Sequence, residues 1–117
     1  MSTTRLRIFA AATESILAQA EYYRLHESDA LAQRWVEAVQ ATFQQLVQFP
    51  ESRPHVMLEA YRGVALPQDL HRAIILDFSE YLVFYRYVAS DNVVKVVEVI
   101  DGRRDLEHAL EATMMEE

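Results

Sequence analysis

Residues 71–100, HRAIILDFSEYLVFYRYVASDNVVKVVEVI, decide the fold. Three runs within them, 71–76, 81–88 and 93–100, are rich in Ile, Val, Phe and Tyr, the side chains that fit a pleated, half-buried surface. Short polar links separate the runs, and Ser90, Asp91 and Asn92 suit a hairpin turn. Three consecutive strands with short links make an antiparallel meander, which needs an apolar layer on at least one face.

The residues ahead of the meander supply that layer. Ala32, Trp35, Val36, Val39, Phe43 and Leu46 recur at helical spacing, and Pro50 stops their helix because the residue before a proline is pushed out of the helical region. Ser28 or Asp29 caps its start, and Asp29 also suits the positive end of the helix dipole. An earlier stripe of Ala12, Ile16, Ala20 and Tyr23 predicts a first helix from about Ala12 to near Leu25. So short a connection makes the two helices an antiparallel hairpin. Before them, residues 5–9 alternate with period two, Leu6 and Ile8 on one side and Arg5, Arg7 and Phe9 on the other, which predicts a short edge strand.

Outside these segments the pattern is weaker. Residues 51–69 contain Pro54, Gly63 and Pro67 and keep no period, so they read as a loop with room for a short strand or turn. Gly102 breaks the last strand. Leu106, Ala109, Leu110 and Met114 then predict a short C-terminal helix with an acidic tail. With no repeat, low-complexity segment or linker, residues 1–117 read as a single domain. The expected fold class is α+β: an N-terminal strand, then a two-helix hairpin packed on an antiparallel sheet of about four strands, then the short helix.

At 117 residues with 51% hydrophobic and 25% charged side chains, the chain can bury a core without a metal or disulfide staple. It has no cysteine, which excludes disulfides, thiolate catalysis and cysteine-based zinc sites. No export signal is visible and no stretch approaches the roughly 20 apolar residues that span a bilayer, so a cytoplasmic location without membrane contact is expected. Acidic residues outnumber basic ones, 18 to 11, for a net charge of −7. Direct nucleic-acid binding is therefore not expected from the sum, which does not fix the charge of a local patch. All the basic residues except Lys95 are arginine, which suits hydrogen-bonded fork geometry.

The order of elements, and several local patterns, resemble the ParE/RelE toxin superfamily of type II toxin–antitoxin systems. Ala12-x-x-Ser15-Ile16 followed by Tyr22 and Tyr23 resembles the family's first helix, and Leu46-Val-Gln-Phe-Pro50 resembles the end of its second. Leu70-His-Arg72 resembles the segment that brings an arginine onto the second strand. The strongest part is Phe78-Ser-Glu-Tyr-Leu-Val-Phe-Tyr-Arg86 with Val96-Val-Glu-Val-Ile-Asp-Gly-Arg-Arg-Asp-Leu106, similar to the family's paired strands and closing turn. Asp101 departs from the pattern, standing where a histidine is frequent, so no chemistry of that histidine carries over.

The resemblance implies two activities: RelE-like members cut messenger RNA on the ribosome, and ParE-like members poison DNA gyrase without being nucleases. RNA cleavage needs a base, an acid and a cation for the developing phosphate charge. Arg72 and Arg86 are the candidate catalytic cations, if they share a face; each can instead pair with a carboxylate at the sheet rim. The terminal tyrosine or histidine of the RelE-like branch has only His108 as a counterpart, and Glu107 and Glu111 beside it favour a charged surface group. His26, His55 and His71 stand singly, so no metal or other cofactor is expected. Tyr81, Tyr85 and Tyr87 read as half-buried strand residues before base-stacking ones. Arg103, Arg104 and Asp105 are the candidate partner-binding residues, with a structural turn as their other reading. The ParE-like branch is preferred: a toxin acting by protein contact, with DNA gyrase as the implied target and a cognate antitoxin as the partner that neutralises it. The alternatives are a ribosome-dependent endoribonuclease, which would show a basic concave surface, and a non-toxic relic that only binds an antitoxin.

Overall fold

The computed structural model describes residues 3–51 and 70–102. They form strand β1 (Arg5–Ile8), helices α1 (Ala10–His26) and α2 (Asp29–Gln48), and strands β2 (Leu70–Ile75), β3 (Phe78–Val88) and β4 (Val93–Asp101). The expected loop after Glu51, the C-terminal helix and the Arg103, Arg104 and Asp105 candidates lie outside the described residues.

The four strands make one sheet in the order β1-β4-β3-β2. The meander β2-β3-β4 is antiparallel throughout, but β1 joins β4 in parallel, so the sheet is mixed. A tight hairpin forces antiparallel pairing, whereas β1 reaches β4 only after the helices and two strands have intervened, and its direction is set by the entry into α1. Asn92 ties this corner together: its side-chain oxygen accepts from the Thr4 hydroxyl (2.9 Å) and the Tyr87 hydroxyl (3.0 Å). Its φ of 50° lies in the left-handed region that asparagine tolerates better than most residues.

The helical hairpin covers one face of the sheet. Ser28 caps α2 by accepting from the Leu31 N–H at 3.0 Å, as the sequence suggests. Trp35 is fully buried at the centre of the layer, donating its indole N–H to the Ile16 carbonyl (3.0 Å) and packing edge-on against Phe78 and Tyr81. Beneath lie Ala73, Ile75, Val83, Tyr85, Val94, Val96 and Val99 from the sheet. Thr42, buried in mid-helix, donates to the Ala38 carbonyl (2.8 Å) and accepts from the Leu76 N–H (3.0 Å), fixing α2 to the end of β2. Gly102 follows β4 where its N–H meets the Glu80 carbonyl at 2.7 Å, and a Cβ there would come within 3.2 Å of the same oxygen.

The opposite face is also apolar at its middle. Leu70, Phe84, Val93 and Ile100 have the register of that face and are buried, so it is not the open apolar surface that one-sided helix cover would leave.

Candidate cationic face of the sheet

Residues opposite one another on neighbouring strands share a face, so the register places the basic side chains of the sheet. Arg7 on β1 stands opposite Lys95 on β4, and Lys95 stands opposite Arg86 on β3. On β2, Arg72 stands opposite Phe84, which is two residues from Arg86 and therefore on the same face as it. Arg5 is opposite Val93, again on that face. The helices cover the other side.

Arg7, Lys95 and Arg86 thus form a straight row over three strands, about 10 Å long at the usual strand spacing. Arg5 and Arg72 flank it. Arg5, Arg7 and Arg72 are exposed, while Arg86 and Lys95 are half-buried, the state expected where long stems cross apolar surface and keep their heads in water. Arg7 lies over the ring of buried Phe9, 5.0 Å from its centroid, and an Arg5 guanidinium N–H donates to the Asp91 carbonyl at 3.2 Å. Like charges directly opposite on a sheet are unfavourable as pairs. Such a row suits an anionic partner.

Arg72 and Arg86, singled out in the sequence, are brought to one face as their catalytic reading requires. Arg5, Arg7 and Lys95 were missed, and only the pairing register could have joined them. Among the described residues the histidines and tyrosines of the sheet lie on the other face. Tyr85 belongs to the core under the helices, with Tyr81 and Tyr87 packed against it, and buried His71 stacks on Tyr85 with ring centroids 5.1 Å apart. The tyrosines thus take the packing role read from the sequence. The buried Glu98 carboxylate accepts from the Ser15 hydroxyl (2.8 Å) and the Val99 N–H (2.9 Å), holding α1 to β4. His26, at the end of α1, is exposed beside Tyr22. Among the described residues no cluster of three His, Asp or Glu side chains is arranged to hold a metal, and no helix is long and apolar enough to cross a membrane.

A second feature borders the row. Between β1 and α2 runs an open groove of about 720 Å³, with Leu6, Ile8, Phe43 and Val47 as its apolar lining and Gln40 and Gln44 among its polar groups. Leu6 and Ile8 are 40% and 37% exposed there. The outer side of the hairpin differs: Arg24 and Glu21 satisfy each other, and the hydrogen bond from Arg24 holds the Glu21 carboxyl below its ordinary range.

Comparison with known proteins gives the row its context. Residues 6–106 match the family model of the ParE toxin of the type II toxin–antitoxin system parDE. Among solved structures, the isolated E. coli RelE toxin is similar at 14% identity and a TM-score of 0.50, with 96% of this chain and 98% of that chain covered. A chain of the intact E. coli RelBE toxin–antitoxin complex matches at 14% identity and a TM-score of 0.49, covering 86% of this chain and 99% of that one. At this identity the likeness to RelE is one of fold. No curated protein matches the sequence.

Proposed function

The chain belongs to the ParE toxin family of type II toxin–antitoxin systems, and from that premise we propose that it is a toxin that acts in the cytoplasm by protein contact. Residues 1–117 act as a single domain in this reading. DNA gyrase is the target, and a cognate antitoxin encoded beside the toxin neutralises it. The observation that carries the reading is the match to the ParE model over residues 6–106, nearly the whole chain. The sheet supports it chemically. A row of cations can hold acidic side chains, and among the described residues no histidine or tyrosine stands on its face. The partner-binding role of Arg103, Arg104 and Asp105 remains part of the proposal.

One observation favours the endoribonuclease as a second reading. Arg72 and Arg86 share a face with three further cations, so this face carries a basic cluster despite the negative sum. Inducible expression in bacteria, with and without the neighbouring open reading frame, separates the readings. Growth arrest with altered supercoiling and intact transcripts, relieved by the neighbour, is expected. Early transcript cleavage favours the nuclease, and soluble expression without arrest overturns both in favour of the antitoxin-binding relic.

A further inference from the structure

Phe9 breaks a local rule. It stands at the N-cap of α1, where Ser, Thr, Asp and Asn are favoured because their side chains accept from the first free N–H groups of a helix, and it makes no such bond. Its own N–H continues the ladder from β1, donating to the Val96 carbonyl at 2.9 Å. Its ring is buried, and the guanidinium carbon of Arg7 lies over it, 5.0 Å from the centroid. Arg7 itself is exposed. The β1 end of the cationic row is therefore an exposed arginine seated on a buried aromatic ring.

Two forces act on that guanidinium. Lys95, directly opposite on β4, repels it, and the negative face of the Phe9 ring attracts it. Arginine suits such a seat better than lysine, because its planar head stacks on aromatic faces and keeps a rigid fork of donors that matches a carboxylate bidentately. An ammonium is a point charge on a flexible stem, and Lys95 in the middle of the row is a cation of that kind. We infer that Phe9 is a positioning residue and Arg7 the specificity-determining cation of the row: the ring orients the guanidinium so that it takes a carboxylate of the partner bidentately. The inference rests on the reading of this face as a contact for acidic side chains, and it names the group that recognises them. Recognition by charge alone makes different demands. Lysine at position 7 would then serve equally, and Phe9 would be an apolar filler that leucine could replace.

The test is an NMR titration of the full chain with a short all-glutamate peptide, with a short oligothymidylate as the competing anion. Affinity is read from the backbone amides of β1 and β4, and side-chain order from the Nε–H signal of Arg7. In the unmodified chain and in Phe9→Tyr that signal is expected to be ordered and to shift as peptide is added. Phe9→Leu and Arg7→Lys should each weaken peptide binding roughly two- to fivefold, the size of an exposed cation–π contact. In an Arg7→Gln chain, Phe9→Leu should cost nothing further, which separates positioning of Arg7 from a merely structural role. Should Phe9→Leu misfold, Arg7→Lys, which leaves the ring in place, still decides. Each of five results would overturn the inference: Arg7→Lys binding as well as the unmodified chain, an Arg7 signal averaged by motion, the full Phe9→Leu loss persisting in the Arg7→Gln chain, no peptide binding, or a preference for the oligothymidylate. Gyrase inhibition by the same chains is a separate readout. Peptide binding as expected without gyrase inhibition sinks the gyrase target and leaves Arg7 its role, whereas inhibition by a chain that fails the peptide test keeps the target and removes the role.

Discussion

Lys95 stands directly opposite Arg86 in the β3–β4 ladder, with Arg7 opposite Lys95 on its other side. Like charges directly opposite one another on a sheet are unfavourable as pairs.

Replacing Lys95 with glutamate turns both like pairs into opposite ones. Lys95→Glu should therefore raise unfolding stability, by on the order of 0.2–1 kcal/mol for each pair, while weakening growth inhibition. Urea denaturation and a growth curve on the same variant check both signs. A loss of stability together with full toxicity would separate the row from function.

Trp35 joins the two helices to each other and to the sheet. Trp35→Ala should cost about 3–5 kcal/mol, because the cavity lies where α1, α2 and β3 meet and cannot close by the movement of one element. Calorimetry measures it. Trp35→Phe should cost less but still leave the Ile16 carbonyl without its indole donor.

Thr42 is a polar residue in a buried helical position, and its hydroxyl serves the Leu76 N–H. Thr42→Val keeps the shape and removes the acceptor. A loss of about 1–3 kcal/mol is expected, with faster hydrogen exchange at the Leu76 amide. Unchanged exchange there would show that the bond contributes nothing.

Ser15 holds α1 to β4 through the buried Glu98 carboxylate. Ser15→Ala should destabilise by about 1.5–3 kcal/mol, since a charged acceptor loses a donor that water replaces poorly. Glu98→Gln in the Ser15→Ala background should recover part of the loss, which a double-mutant cycle would measure.

The strands, the helical hairpin, the Ser28 cap and the stop at Pro50 were all legible in the sequence, because each rests on local periodicity or local chemistry. Leu6 and Ile8 were correctly set apart from Arg5 and Arg7 for the same reason. The parallel placement of β1 was not legible, since nothing within residues 5–9 specifies which strand they will join. Arg72 and Arg86 were found as a pair through resemblance. The full cationic row stayed hidden, because Arg7 and Lys95 are distant in sequence and the net charge of −7 masks a local excess of the opposite sign. His71 read as an isolated histidine, and its stacking on Tyr85 under the helices required the tertiary fold.

The most direct test of the central claim uses purified components. The chain is added to DNA gyrase with relaxed plasmid and ATP, and in parallel to ribosomes translating a defined messenger RNA. The account predicts lost supercoiling or trapped DNA cleavage in the first reaction, weakened by Lys95→Glu, and an intact transcript in the second. A cut transcript with gyrase unaffected would contradict it and make Arg72 and Arg86 the residues to examine as catalytic cations.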